Sequence, residues 1–215
     1  HDQGISAMDA VDQWLYTPYG LMLNAPSFTK RDDGVGFITR VYPGIKENGA
    51  VFSHMTVMFA NALYRRGFVR EGYKALQSLA DTAMDFETSR ICPGIPEYFS
   101  IDGRGRYHYL TGAASWYMLT MITEVFGVRG IKGDLCISPK LVREQFDAQR
   151  KASISLEFAG RQIEVVFENP EDLDAGAYRI VRTDCGMLSE GSVVVPKAVL
   201  AAMPAEGNGI NVVLG

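Results

Sequence analysis

The feature that most constrains the fold is a single change in the spacing of apolar residues, close to residue 132. Before it, apolar residues recur every three or four positions, which predicts helices; after it, they alternate or are β-branched, which predicts strands. The predicted helical segments are 5–15, 51–67, 69–86 and 113–130. The predicted strands are 152–158, 161–169, 177–184 and 191–196. We therefore expect an α+β chain, with a helical domain over residues 1–132 and a β domain over residues 133–215.

Local signals refine this division. Arg65 and Arg66 followed by Gly67 are typical of a helix end. The segment 113–130 is apolar nearly all round, so we expect its helix to be buried. Ala159-Gly160 between the first two strands indicates a hairpin turn. The long segments 16–50 and 87–112 are rich in Tyr, Phe, Pro and Gly, which favours ordered functional loops.

Composition excludes several classes of partner. The formal net charge is −4, which argues against nucleic acid or an anionic membrane. No apolar run approaches the roughly 20 residues of a spanning helix, and no basic-then-apolar start resembles a signal peptide. The three cysteines lie far apart and show no CxxC spacing, so we expect neither a disulfide framework nor a metal site. A cytoplasmic location is the simplest expectation.

Two predicted helix starts carry residues that suit an anion. His54 lies in the first turn of helix 51–67, after a Gly/Pro-rich loop, and Thr111-Gly112 opens helix 113–130. Helix N-termini present free N–H groups and partial positive charge. If the two starts converge, an imidazole, a hydroxyl and several amides form a phosphate site. The alternative is that His54 is a hydrogen-bonded structural residue and that Thr111 only caps its helix.

The segment IKENGA, residues 45–50, offers an ammonium, a carboxylate and an amide on Lys46, Glu47 and Asn48. Asn-Gly by itself indicates a solvated turn. The functional alternative is hydrogen bonding to sugar hydroxyls, with aromatic side chains beside it. The candidate aromatic residues are Tyr42, Phe52, Tyr98 and Phe99.

Other catalytic motifs are discounted. The glycine pairs 34–36 and 103–105 do not open a GxGxxG βα unit, and no GxSxG, HExxH or P-loop occurs. Cys92 and Cys136 have no histidine close in sequence, which argues against a catalytic thiol. Glu47 and Glu97 are both loop acids, but spacing does not establish the carboxylate separation that a glycosidase requires.

Four blocks together resemble a known family. They are YPGIKENGAVFSH at 42–54, PEYF at 96–99, YLTGAASWYML at 109–119 and GVRGIKGDLCISPKL at 127–141. Their order and spacing resemble the C-terminal part of the glycoside phosphorylases of glycoside hydrolase family 94, which include cellobiose, cellodextrin and chitobiose phosphorylases. The resemblance implies the end of an (α/α)6 barrel followed by a small, sandwich-like β-sheet domain.

The resemblance also implies a reaction and roles for individual residues. The family's reaction is inverting phosphorolysis, in which a β-linked glycoside and phosphate give an α-sugar 1-phosphate, so inorganic phosphate is a co-substrate and no cofactor is expected. His54, Thr111 and Gly112 correspond to phosphate-binding residues, and Glu47 to a residue near the acceptor sugar. His108 has no role that carries over. Family members are commonly dimers, so the resemblance also implies a homodimer.

Two departures from the family pattern affect this expectation. The tryptophan that often follows the histidine by three or four residues is absent from HMTVMFA, residues 54–60. The DWND-type segment that carries the general-acid aspartate, and a phosphate-binding arginine further upstream, have no counterpart in this sequence. Six helix hairpins also do not fit into residues 1–132. We therefore expect a fragment that needs the remainder of the phosphorylase barrel; the alternative is a non-catalytic carbohydrate-binding or structural module.

Overall fold

The computed structural model describes residues 2–91, 94–107 and 111–215. Its helices are α1 (Asp2–Trp14), α2 (Ser53–Arg65), α3 (Val69–Met84), α4 (Phe86–Ser89), α5 (Gly112–Thr120) and α6 (Lys197–Ala202). Short strands accompany the first five helices: β1 (Tyr16–Thr17), β2 (Gly20–Leu21), β3 (Val51–Phe52), β4 (Tyr98–Phe99) and β5 (Gly105–Arg106). The later strands are β6 (Val128–Ile131), β7 (Asp134–Ile137), β8 (Lys151–Phe158), β9 (Arg161–Glu168), β10 (Ile180–Thr183), β11 (Met187–Ser189), β12 (Ser192–Val195) and β13 (Asn208–Leu214).

The mixture of helices and small sheets agrees with the expected α+β class. The described chain separates into two compact units. One comprises the chain up to Leu63 together with Glu71–Met118, and the other comprises Tyr64–Arg70 and Leu119–Gly215. The boundary at residue 132, the barrel and the sandwich remain predictions. Among the described residues, no helix is both long and apolar enough to cross a bilayer.

In the first unit, three short strands hold the start of α2. They form one antiparallel sheet in the order β3-β4-β5, with Val51 opposite Phe99 and Phe52 opposite Tyr98. Strand β3 runs directly into α2, so the sheet fixes the position at which that helix begins. Val51 and Phe99 are fully buried, which anchors the sheet in the core.

The second unit contains two four-stranded sheets. Their orders are β11-β12-β7-β6 and β10-β13-β9-β8. The hairpin predicted at Ala159-Gly160 is confirmed: β8 and β9 pair antiparallel on either side of it, and both turn residues have positive φ. Strand β13 lies inside its sheet, parallel to β9 and antiparallel to β10. The inward residues of these strands, including Val165, Phe167 and Ile210, are fully buried.

Two expectations about the helices were wrong. The first helix begins at Asp2 rather than at residue 5. The helix predicted over 113–130 ends as an α-helix at Thr120, continues as a π-helical turn over Met121–Val125, and gives way to β6 at Val128. It is also not buried on all sides, because Met118 is 59% exposed in this chain. Among the residues that the structure describes, none covers this face of the helix well enough to bury Met118.

Candidate functional site

The position of His54 is set by the junction between β3 and α2. The Ser53 amide donates to the carbonyl of Glu97 at 2.9 Å, and the Thr56 hydroxyl donates to the carbonyl of Phe52 at 3.1 Å. The first bond satisfies an N–H group that a helix start leaves free and ties α2 to the residue before β4. The second joins the first turn of α2 to β3. The imidazole of His54 is thereby held in the first turn of a helix that begins at Ser53.

The structure brings His54 and Gly112 into contact. A Cβ atom placed on Gly112 would lie 2.8 Å from Cε1 of His54 and 3.1 Å from its Nδ1, so glycine is required for this approach. The ring of Trp116, one helical turn further along α5, lies 5.8 Å from the imidazole, centroid to centroid. The two predicted helix starts therefore converge at the imidazole.

One nitrogen of this imidazole has no hydrogen-bond partner among the described residues. Nε2 of His54 is buried, and no described group donates to it or accepts from it. A buried polar atom left unpaired costs about 1–3 kcal/mol, so such atoms in proteins usually have a ligand or water as partner. The orphaned nitrogen is what a ligand-binding histidine would present.

Thr111 caps α5, and its hydroxyl remains able to donate a hydrogen bond. Its Oγ1 accepts from the Ala113 amide at 3.2 Å, a typical N-terminal capping bond. Because the oxygen is the acceptor in that bond, the hydroxyl can still donate its hydrogen to a ligand. The capping role proposed as an alternative is therefore present, and it leaves the binding role open.

The sugar-binding candidates in the loop at 44–49 separate into two groups. Asn48 is fully buried: its side-chain amide donates to the carbonyls of Phe28 and Val41 at 2.9 and 2.7 Å, and its Oδ1 accepts from the Phe28 amide at 2.7 Å. A side chain so occupied cannot bind a sugar hydroxyl, so that part of the sequence hypothesis was wrong. Glu47 is exposed, and Lys46 is half-buried with φ +47°.

Glu97 and Tyr107 surround the ammonium of Lys46. Nζ of Lys46 lies 3.8 Å from Oε2 of Glu97 and 4.1 Å from the centroid of the Tyr107 ring. An ammonium over an aromatic face is a favourable cation–π arrangement. Burial raises the pKa of Tyr98 above its ordinary value, and the charges of Glu97 and Glu47 raise it further. Both carboxylates therefore lie in the surroundings of the Tyr98 hydroxyl.

The aromatic residues divide differently from the sequence hypothesis. Tyr98 and Phe99 are buried in the core, whereas Tyr42 is exposed. Phe52 stacks on Tyr98 at 6.3 Å between centroids, and Tyr98 contacts Tyr107 at 6.1 Å. Tyr107 is half exposed at the end of this row, and sequence reasoning did not single it out. The sequence feature that could have indicated Tyr107 is the alternation of aromatic and polar residues after β5, but that stretch is too short to predict a binding site by itself.

Several residues that the sequence analysis considered are either outside the described part of the chain or not part of the candidate site. His1, Cys92 and His108 are not among the residues that the structure describes. Cys136 is buried and free, and burial raises the pKa of the half-buried Cys185 thiol, with the charge of Asp184 adding to the effect. A thiol with a raised pKa is a poor nucleophile at neutral pH. Within the described ranges, no three His, Cys, Asp or Glu side chains gather as metal ligands would.

Comparison with known proteins agrees with the family resemblance of the sequence blocks. The profile of the Glycosyl hydrolase 94 superfamily, catalytic domain, matches residues 1–127. The chain belongs to this family, and all of the candidate site residues fall inside the matched region.

The curated proteins that the chain resembles include several glycoside phosphorylases. The chain is 31% identical, over 99% of its length, to an N,N'-diacetylchitobiose phosphorylase of Vibrio furnissii, and 32% identical, over 83%, to one of Vibrio proteolyticus. A cellobionic acid phosphorylase of Neurospora crassa is 29% identical over 61% of the chain. The chain spans about a quarter of the length of the two chitobiose phosphorylases, 26% and 23%, and 18% of the Neurospora enzyme.

Proposed function

We propose that this chain is the part of an inverting glycoside phosphorylase that holds phosphate and contacts the acceptor sugar. The reaction is the reversible phosphorolysis of a β-linked di- or oligosaccharide to an α-sugar 1-phosphate, a transfer of a glycosyl group to phosphate. The observation that carries the proposal is the contact between His54 and Gly112, in which the buried Nε2 of the imidazole has no hydrogen-bond partner among the described residues. The similarity to curated phosphorylases supports it.

The geometry suits an anion that is itself the nucleophile. An inverting hydrolase needs a base to activate water, whereas phosphate arrives already charged and needs only to be held. The imidazole of His54, the hydroxyl of Thr111 and the amides that open α5 would surround its oxygens. Gly112 lets the imidazole approach the start of α5, because a side chain at residue 112 would collide with the ring. Inorganic phosphate is the co-substrate, and we propose no other cofactor.

The leaving sugar requires a proton from one carboxylic acid. We propose that this acid is an aspartate in the part of the enzyme upstream of residue 1, and that Glu47 hydrogen-bonds the acceptor sugar. Glu47 suits this role because it is exposed in the loop that also presents Lys46. In this proposal Glu47 binds the acceptor sugar, and Glu47 and Glu97 do not form a hydrolytic pair.

Exposed apolar side chains on α2 and α5 support the proposal that further helices of the barrel pack against this chain. Met55 and Met58 on α2 are 46% and 40% exposed, and Met118 on α5 is 59% exposed. Large apolar groups aligned on helix surfaces usually mark a contact face. We propose that helices from the remainder of the catalytic domain cover them, which completes the barrel and brings the general acid to the site.

A phosphorolysis assay of the complete enzyme tests the proposal. Purified enzyme is given β-linked disaccharides, including N,N'-diacetylchitobiose, cellobiose and cellobionic acid, with inorganic phosphate, and sugar 1-phosphate is measured. Activity that needs phosphate, and that falls when His54 is replaced by Ala while the fold is kept, supports the proposal. Sugar binding that is indifferent to phosphate, without turnover, would favour the non-catalytic module instead.

A further inference from the structure

The carboxylate of Glu97 is held in an unusual way. Its Oε2 atom is buried and has no hydrogen-bond donor among the described residues, although the side chain as a whole is about one third exposed. The nearest positive charge is Nζ of Lys46, at 3.8 Å, which is an ion-pair distance rather than a hydrogen bond. The rest of Glu97 is firmly fixed: its carbonyl accepts from the Ser53 amide and its own amide donates to the Tyr107 carbonyl, both at 2.9 Å.

These contacts place Glu97 between the phosphate-site candidate His54 and the sugar-site candidates Lys46 and Glu47. Through Ser53 its backbone touches the start of α2, which carries His54, and through its carboxylate it faces the loop that carries Lys46 and Glu47. Charged groups around the same tyrosine, Tyr98, are Glu47, Glu97 and Arg106. Lys46 is therefore the one cation that a described contact brings to the Glu97 carboxylate.

Lys46 itself is in a restrained conformation. Its φ of +47° lies in the left-handed region, which non-glycine residues adopt at a cost. Its ammonium is bounded by Tyr107 on one side and by Glu97 on another. A long, flexible side chain is thereby limited to few rotamers, and such restraint lowers the entropy that it would lose on binding a ligand.

We propose that Glu97 is a positioning residue for acceptor-sugar binding: it orients the ammonium of Lys46 so that Lys46 and Glu47 together bind hydroxyl groups of the acceptor. The proposal rests on the proposed function, because it assigns Glu97 a part in that same site. It differs from a structural role, since the backbone bonds of Glu97 already fix β4 and the side chain is left to act on Lys46.

The test uses a complete phosphorylase that contains this chain, in the synthetic direction, with sugar 1-phosphate and the free acceptor sugar varied separately. Glu97→Gln keeps the size of the side chain and removes its charge. We expect the KM for the acceptor to rise about tenfold, while the KM for the sugar 1-phosphate changes by less than about twofold. Lys46→Met should raise the acceptor KM similarly, and the double variant should be no worse than Lys46→Met alone.

Two further variants keep the result interpretable. Glu97→Asp retains the charge on a shorter side chain and should raise the acceptor KM less than Glu97→Gln; it also serves if Glu97→Gln does not fold. Glu87→Gln changes an exposed acid of the same unit and should leave both KM values unchanged. Effects of Glu97→Gln and Lys46→Met that simply multiply, or an equal rise in both KM values, would overturn the positioning role alone. A wild-type enzyme without phosphorolysis on any sugar would overturn both it and the proposed function.

Discussion

The imidazole of His54 and the α-carbon of Gly112 are in van der Waals contact, so that a methyl group at residue 112 would stand 2.8 Å from the ring. Two helix starts that are distant in sequence are thereby locked to one another. In the proposed function, an anion would approach where the amides that open α5 lie beside the imidazole. This contact and others in the described chain lead to five predictions.

Gly112→Ala should impair phosphate use without weakening the fold. The added methyl group displaces the imidazole, and misplacement of a binding group by an ångström can cost roughly 100-fold in kcat/KM. Alanine within a helix is itself favoured over glycine by about 0.5–1 kcal/mol, so the melting temperature should not fall by much. Gly209→Ala is the matched control, since open space surrounds that position. Unchanged kinetics for phosphate in Gly112→Ala would remove this contact from the site.

Thr111→Val should weaken the interaction with phosphate by about 1–3 kcal/mol, the usual range for a lost hydrogen bond to a charged group. Valine keeps the volume of threonine and removes the hydroxyl, whereas Thr111→Ser keeps the hydroxyl and should bind phosphate nearly as wild type does. Phosphate KM in the complete enzyme gives the measurement. If Thr111→Val lowers the melting temperature and leaves phosphate affinity unaltered, the hydroxyl serves only to accept from the Ala113 amide.

Lys140→Met should destabilise the second unit by about 3 kcal/mol, because it leaves a buried carboxylate without its close partner. Nζ of Lys140 lies 2.8 Å from Oε2 of Glu124 and also donates to the Tyr64 carbonyl, and the Glu124 side chain is only 5% exposed. Urea denaturation followed by circular dichroism measures the loss. Lys151→Met breaks a surface pair with Glu168 and should cost less than about 1 kcal/mol. Equal losses in the two variants would contradict the buried-pair argument.

Stability should fall as the pH rises above 10, because buried tyrosines, among them Tyr16 and Tyr178, resist ionisation in the folded chain. Burial raises the pKa of Tyr16 to about 12, with Asp12 and Glu71 adding to the effect, and burial also raises the pKa of Tyr178. A group whose pKa is raised on folding binds its proton more tightly in the native state, so its contribution is complete below the unfolded value near 10 and is lost above it. Absorbance at 295 nm during a pH titration, beside thermal melts, measures both effects.

Replacing Tyr178 by Phe isolates its share of that behaviour. The Tyr178 hydroxyl donates to the carbonyl of Leu141 at 2.9 Å and accepts from its amide at 2.7 Å, and Leu141 is fully buried. The variant leaves both backbone groups unpaired and should cost about 1–3 kcal/mol at neutral pH. Its stability should also decline less steeply above pH 10 than that of the wild type. Tyr42→Phe, at an exposed tyrosine, should change neither property.

The sequence predicted the features that depend on local periodicity. The change from helical to alternating spacing, the hairpin at Ala159-Gly160 and the helix that ends before Gly67 all agree with the structure. Strands β6 and β7 were missed because each is four residues long and glycines 130 and 133 interrupt their pattern. Strand β13 was missed because Asn208, Gly209 and Asn211 are poor strand formers, and its pairing with distant partners overrides that preference.

The candidate site was predictable only in part, because it also depends on contacts between residues distant in sequence. The residue types at the helix starts suggested an anion site, but the contact between His54 and Gly112 depends on how β3 and β4 bring separate segments together. The burial of Asn48 and the pairing of Lys46 with Glu97 depend on the path of the loops, which spacing does not encode. The residue types therefore indicated anion and sugar binding, whereas the tertiary contacts determine which side chains are free to take part.

The central place of β13 in its sheet has a consequence for how the chain is made. Residues 208–214 fill the gap between β9 and β10, so both of those strand edges stay unpaired in a nascent chain until residues 208–214 have emerged from the ribosome. Unpaired strand edges are sites of aggregation. Translation that stalls shortly before residue 208 would therefore leave an intermediate with two unpaired strand edges, and a chaperone that covers them would be needed most until β13 is available to pair.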